Sequence, residues 1–212
     1  MHVVITASSP AQAEHYRRML DARAFPPGVA FHCFCDPPRG RVGSGGGTVL
    51  ALAELLFAET AVDRESAAHE LGEAAAAFFA SRRVVVLHAG GESRRLPAYV
   101  PEGKLFGPLA PRSVARQAAG TRDGRRETSP GVVLDALLEL YWAYPWRPDG
   151  EILLASGDVI VRFDTSALAA ERAAAGAGDG AKTLCGFGVA TSLDQGSRHG
   201  VFAVDEQPEG GG

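Results

Sequence analysis

Lysine is nearly missing from this chain: Lys104 and Lys182 stand against nineteen arginines in 212 residues. With a net charge of -4, the sequence lacks the basic field that broad nucleic-acid binding requires. Its charges do not gather into blocks, which excludes a charged tail. Cysteine is also scarce. Cys33, Cys35 and Cys185 form an odd, small set. That excludes a disulfide framework and points to free thiols in a cytoplasmic protein. "HCFC", with His32, Cys33 and Cys35, could be half of a metal site, but no second cysteine or histidine pair follows it at a useful spacing. The plainer reading is a buried strand. No run of about 18 apolar residues occurs, so no membrane span is expected. The opening "MHVVITASSP" has neither a basic region nor a long apolar core, so no signal peptide is read there. There is no internal repeat of solenoid length.

What is present is ordinary in bulk. Hydrophobic residues make up 46% and charged residues 22%, as in a soluble globular protein. The length suits one domain with a real core, or one domain and part of another. Residues 2–6 read as a short buried strand, and 10–22 as a helix capped by Ser8 or Ser9. "VAFHCFC" (29–35) reads as a second strand. "DPPRGRVGSGGGT" (36–48) has every mark of a loop. Helices are predicted over 49–59, 64–80, 131–144 and 165–175. "RVVVLHAG" (83–90) is a continuous apolar run that suits a central parallel strand buried on both faces. "EILLASGDVIVRF" (151–163) reads as a strand, a turn and a short second strand. Residues 182–190 and 200–206 are strand-like, and 176–181 reads as a linker. Residues 111–130 are polar and irregular, which predicts a mobile excursion.

Strands alternating with helices define an α/β domain with a mostly parallel sheet and helices on both faces. Ligands of such sheets bind where the carboxyl ends of strands feed loops. Three unusual loops leave strand ends here: 36–48, 89–104 and 156–158. In the first, Gly43, Gly45, Gly46 and Gly47 let backbone N–H groups face one concavity before a helix begins. Phosphate is the natural guest. It is not a Walker loop, because no Gly-Lys-Ser/Thr closes it. As a dinucleotide fingerprint it is poor, since the third glycine position falls on Thr48. Taken alone it is also compatible with a flexible turn capped by Thr48.

The second loop, "LHAGGESRRLPAYVPEGK" (87–104), carries more. Gly90 and Gly91 permit close backbone approach, Ser93 offers a hydroxyl, and Arg94 and Arg95 offer forked donors that match phosphate oxygens. Pro97 and Pro101 restrict the path that brings Lys104 back. Lys104 is a compact charge suited to a phosphate that gains charge in a transition state. The third loop, "LLASGDV", ends a strand on Asp158, a residue that could serve a turn or a cation.

"AGGESRRLPAYVPEGK" resembles the signature of sugar-1-phosphate nucleotidyltransferases. With "GSGGGTVLAL" before it and "LLASGDVIVRFD" after it, the chain is similar to the fucose-1-phosphate guanylyltransferase family. The likeness is greatest to the N-terminal, pyrophosphorylase-like part of bifunctional L-fucokinase/GDP-fucose pyrophosphorylases, and it runs from about residue 30 to 204. It implies a Rossmann-like, GT-A-like nucleotidyltransferase fold. It implies the reaction of GTP with L-fucose 1-phosphate to give GDP-L-fucose and pyrophosphate. By the resemblance Arg95 would hold the triphosphate. Lys104 would meet the α-phosphate or the incoming sugar phosphate. Gly90, Gly91 and Ser93 would supply the turn and its donors, while Arg94 stands where related signatures carry small or neutral residues. Gly43, Gly45, Gly46, Gly47 and Thr48 would line the nucleotide. Asp158 matches the residue that holds Mg²⁺. Asp164 is a weaker candidate that could equally cap the helix at 165–175.

The resemblance also implies more protein than is present. Family members continue past this point, and no GHMP-type kinase glycine motif occurs here, so residues 1–212 correspond to the N-terminal portion of the nucleotidyltransferase domain without a kinase. The expected sheet is incomplete, which predicts exposed edges and association with the missing C-terminal half. The competing reading is a non-catalytic nucleotide-binding module. An NAD-dependent Rossmann enzyme is disfavoured by the missing third glycine. No nucleic-acid or membrane partner is expected.

Overall fold

The computed structural model describes residues 1–37, 40, 42–89, 103–109, 131–157, 159–161, 163–174, 186, 192 and 194. The fold set out here is that of the unit Met1–Ala170. Strand β1, His2–Ala7, leads into helix α1, Pro10–Asp21, and strand β2, Ala30–Cys35. Helices α2, Gly43–Glu59, and α3, Ala68–Phe79, precede strand β3, Arg83–His88. A 3₁₀ turn at Lys104–Phe106, helix α4 at Val133–Ala143 and strand β4 at Glu151–Ser156 follow. Helix α5, Thr165–Ala174, closes the described run.

The four strands form one sheet in the order β2-β1-β3-β4, and every pairing is parallel. The register aligns His2 with Ala30 and Val84, and Val84 with Ile152. Alternation of side chains divides the apolar residues between two cores. Val3, Ile5, Val85 and Leu87 face α1 and α4, meeting Tyr16, Leu20, Leu134 and Leu137. Val4, Val84 and Val86 face α2 and α3, meeting Leu55, Leu56 and Phe78. Val84 to Leu87 are all fully buried, as a continuous apolar run between two helical layers requires. Truncating one of them, Leu87→Ala for instance, removes about 3 kcal/mol.

Helix α1 begins where it was expected: Ser9 Oγ accepts from the Gln12 N–H at 3.2 Å. Helix α2 begins earlier. The loop expected over 36–48 gives way to helix at Gly43, and Thr48 lies inside the first turns, its hydroxyl bonded to the Ser44 carbonyl at 3.0 Å. The glycines lower intrinsic helix propensity without forbidding helix, and packing of α2 on the sheet decides the outcome. Gly46 lies close under Val42; a Cβ there would stand 2.9 Å from the valine Cβ. Helix α3 starts at residue 68 rather than 64. Asp63 and Ser66 form a turn first, and Glu70 then accepts the Ala67 N–H at 3.1 Å.

The second strand expected within 151–163 is absent at the described residues 159–161 and 163. Val159, Ile160 and Val161 are exposed there; β-branched composition alone does not make a strand without a partner. The sheet edges differ from its centre. β2, expected to be buried, is only half-buried apart from Cys33, and Arg17 covers it by donating to the Cys33 carbonyl at 2.7 Å. On β4, Leu154 is 54% exposed. The excursion expected at 111–130, the linker at 176–181 and the strands expected at 182–190 and 200–206 lie outside the described residues, Gly186 apart.

Candidate functional site

Two strands run outward from β1 to β2 on one side, and β3 to β4 continue on the other. The chain therefore reverses direction between β1 and β3, and the cleft beyond their carboxyl ends is the favoured ligand position of an open parallel sheet. The described ends of all three unusual loops meet at this point.

The glycine-rich start of α2 is joined to the end of β3 by one contact. Thr48 Oγ1 lies 2.9 Å from His88 Nε2 and 3.0 Å from the Ser44 carbonyl oxygen. The carbonyl can only accept, so the hydroxyl proton goes to Ser44, and His88 donates through Nε2–H. Burial lowers the His88 pKa, which keeps the ring neutral and able to hold that tautomer. At the N-terminus of α2, Val42 provides no side-chain cap and no acidic residue stands in the first turn. The positive end of this helix is tied to the end of β3 by Thr48 and carries no acidic residue in its first turn.

The arginine-bearing loop is held at both of its ends by Tyr16, which no sequence argument singled out. Tyr16 is fully buried, and its hydroxyl donates to the Ala89 carbonyl at 3.2 Å, where the loop departs. Its ring packs on Phe106 with centroids 5.6 Å apart, where the loop returns. Gly103 lies against the same hydroxyl. It has φ +73°, and a Cβ there would stand 2.4 Å from the Tyr16 oxygen, so only glycine fits by both conformation and space. Lys104 follows directly. Its backbone is fixed by the burial of Leu105 and Phe106 and by the Gly107 N–H bond to its carbonyl.

The third loop leaves β4 at the same place. The Gly157 N–H donates to the His88 carbonyl at 3.0 Å, and a Cβ on Gly157 would stand 3.2 Å from both Ala89 Cα and Leu105 Cδ2. Ala89, Gly103, Lys104 and Gly157 thus surround one small region. Gly90, Gly91, Ser93, Arg94, Arg95 and Asp158 lie outside the described residues. Gly43, Gly45, Gly46, Gly47 and Thr48 all fall in the first turns of α2. Asp164 is a helix cap: its Oδ1 accepts from the Ser166 N–H at 2.9 Å and the Ala167 N–H at 3.3 Å. Tyr16 gave no signal, being one aromatic on an amphipathic helix. His88 did give one, as the first polar side chain after "VVVL".

The geometry is that of an α/β protein that gathers glycine-rich loops and a lysine at its topological switch point. The chain belongs to the fucose pyrophosphorylase domain family, which matches residues 76–211. It is 33% identical over 82% of its length to the L-fucokinase/L-fucose-1-P guanylyltransferase of Bacteroides fragilis. To the bifunctional fucokinase/GDP-fucose pyrophosphorylase of Arabidopsis thaliana it is 29% identical over 96% of its length. To the fucose-1-phosphate guanylyltransferase of Homo sapiens it is 25% identical over 96%. The chain spans 16%, 19% and 28% of the lengths of these three relatives. No solved structure matches it. No helix among the described residues is long and apolar enough to cross a membrane.

Proposed function

We propose that this chain carries the nucleotide-handling end of a fucose-1-phosphate guanylyltransferase, which transfers guanylyl from GTP to L-fucose 1-phosphate. A phosphate oxygen of the sugar phosphate forms a bond to the α-phosphorus of GTP, and the bond from that phosphorus to the bridging oxygen of pyrophosphate breaks. Such chemistry depends on positioning and on neutralising charge rather than on a protein nucleophile. The observation that carries the reading is the meeting of Ala89, Gly103–Lys104 and Gly157 beside the glycine-rich start of α2. Family membership and the names of the relatives support it.

In this reading the free N–H groups of residues 43 to 45 at the start of α2 receive the nucleotide, while Gly46, Gly47 and Thr48 line it from the next turn. Gly90, Gly91, Ser93 and Arg94 complete the phosphate cradle. Arg95 binds the triphosphate as a fork, and Lys104 meets the charge that grows as pyrophosphate departs. A Mg²⁺ ion suits the hard oxygen donors that Asp158 and the phosphates would offer, and that residue follows Gly157 at the end of β4. When bound, such an ion neutralises phosphate charge. The free thiols of Cys33 and Cys35 go with a cytoplasmic location.

Incubating the chain with GTP, Mg²⁺ and fucose 1-phosphate tests the reading, with GDP-fucose and pyrophosphate as the expected products. The small share of each relative that the chain spans favours a second reading, a nucleotide-binding module that acts only with the rest of a longer protein. GTP binding by calorimetry without turnover would select that one. Neither binding nor product would defeat both.

A further inference from the structure

We propose that His2, His32 and Glu59 form a Zn²⁺ site on the side of the sheet away from the switch point, separate from the nucleotide chemistry. The three residues come from the first position of β1, the middle of β2 and the last residue of α2. Parallel register sets His32 opposite Val4, so His2 and His32 share one face of the sheet, two positions apart. α2 runs back along that same face and delivers Glu59 there.

Their ligand atoms already converge. His2 Nδ1 lies 3.1 Å from His32 Nε2, and His32 Nε2 lies 3.7 Å from Glu59 Oε1. All three ligand atoms lie within 4.8 Å of one another, the one such group of three among the described residues. A tetrahedral zinc ion with ligands at about 2.0–2.1 Å separates its donor atoms by about 3.3 Å, between the two distances observed. The imidazoles are held by aromatic neighbours, His2 against Phe78 at 5.6 Å and His32 beside Phe34 at 6.1 Å between centroids. The Glu59 side chain is one-third exposed and free to close the longer distance. The two imidazole nitrogens are borderline donors, and with them beside one carboxylate the set suits zinc better than magnesium. A fourth position stays open to water.

The cysteines of "HCFC" take no part. Strand alternation turns Cys33 and Cys35 to the opposite face, where they pack with the core beneath α1. The partner that His32 lacks downstream is supplied from upstream, by His2. The arrangement without an ion is also intelligible: a bond between two neutral rings, with Glu59 near a ring that burial discourages from protonating. Arg82 and the Met1 ammonium disfavour added positive charge near His2, and Glu59 favours it.

Titrating the metal-stripped chain with Zn²⁺ in a calorimeter tests the site. Saturable one-to-one binding is expected, with Tm raised by about 5–10 °C at a hundredfold excess over Kd. His32→Gln and Glu59→Gln should each abolish both effects while circular dichroism stays native. Glu59→Gln is the safer variant, since it alters a partly exposed helix end. Cys33→Ser with Cys35→Ser should retain binding, and Co²⁺ should give the spectrum of a tetrahedral ion without thiolate charge transfer. No binding by the parent chain, or binding that survives both ligand variants, would overturn the proposal. So would a thiolate charge-transfer band. GTP binding should be unchanged by Glu59→Gln, which separates this site from the proposed nucleotide site.

Discussion

The two sides of the same parallel sheet are assembled on different plans. Beyond the carboxyl ends of its strands, the groups that meet come from short contiguous motifs: the first turns of α2, the ends of the arginine loop and the end of β4. On the other side, His2, His32 and Glu59 are single residues about one element apart, joined only by register and helix direction. Glycine also serves the two sides differently. Gly103, φ +73°, lies under the hydroxyl that ties down the loop, whereas Gly150, φ +83°, lies where β4 begins, with a would-be Cβ 2.0 Å from the Phe79 carbonyl oxygen. The difference teaches that the same left-handed glycine conformation can stand beside a proposed nucleotide site in one place and at a packing contact alone in another.

Charge at the switch point should give the largest effect. In the proposed transfer, Lys104→Ala is expected to lower turnover about 100- to 1,000-fold while changing GTP affinity far less, because the proposed role calls on its charge most in the transition state. Steady-state kinetics beside calorimetry read this. Equal losses in both would make Lys104 a ground-state contact and would weaken the contrast between the two sides.

The glycine pair gives the next effect and bears on the comparison most directly. Gly103→Ala and Gly150→Ala should each destabilise by about 3 kcal/mol, from an unfavourable backbone region plus a steric clash. Urea denaturation measures that loss. At a temperature where both variants remain folded, only Gly103→Ala should impair GTP binding. Equal impairment by Gly150→Ala would mean that the two sides are coupled through the strands.

The legible part of this molecule was whatever lay close together in sequence. The valine run of β3 announced a central strand, the pair Ser8 and Ser9 announced the start of α1, and "AGG" and "PEGK" marked the two ends of the loop that Tyr16 clamps. The start of α2 was misjudged because four glycines speak for a loop locally, while the contact of Thr48 with His88 and the packing of α2 on the sheet are made only in three dimensions. Tyr16 was illegible for the same reason: the Ala89 carbonyl that it bonds and the Gly103 that lies against it are more than seventy residues away. His32 was seen as half of something, yet its partner lay thirty residues upstream, in a strand whose register no spacing rule supplies.

Tyr16 itself offers the smallest and most selective change. Tyr16→Phe keeps the ring on Phe106 but leaves the Ala89 carbonyl without its donor, for an expected loss of about 1–2 kcal/mol. Its pH dependence has a definite sign. Burial, with some help from the charge of Cys33, pushes the Tyr16 hydroxyl up to about 12 from 10.0. Burial does the same for Tyr141, and lifts the Cys33 thiol to about 11 from 9.0. In each case the unfolded chain releases its proton first, so the stabilising contribution is whole below the unfolded value and is lost as pH rises through the folded one. For the tyrosines the loss begins near pH 10 and ends beyond 12; for Cys33 it begins near 9. Denaturation followed at several alkaline pH values should therefore show a steep decline in the parent chain and a shallower one in Tyr16→Phe, with the Tyr141 and Cys33 contributions remaining. If the two curves stay parallel, the Tyr16 hydroxyl is already ionising in the folded chain. The bond to Ala89 would then not be what holds the departing end of the arginine loop.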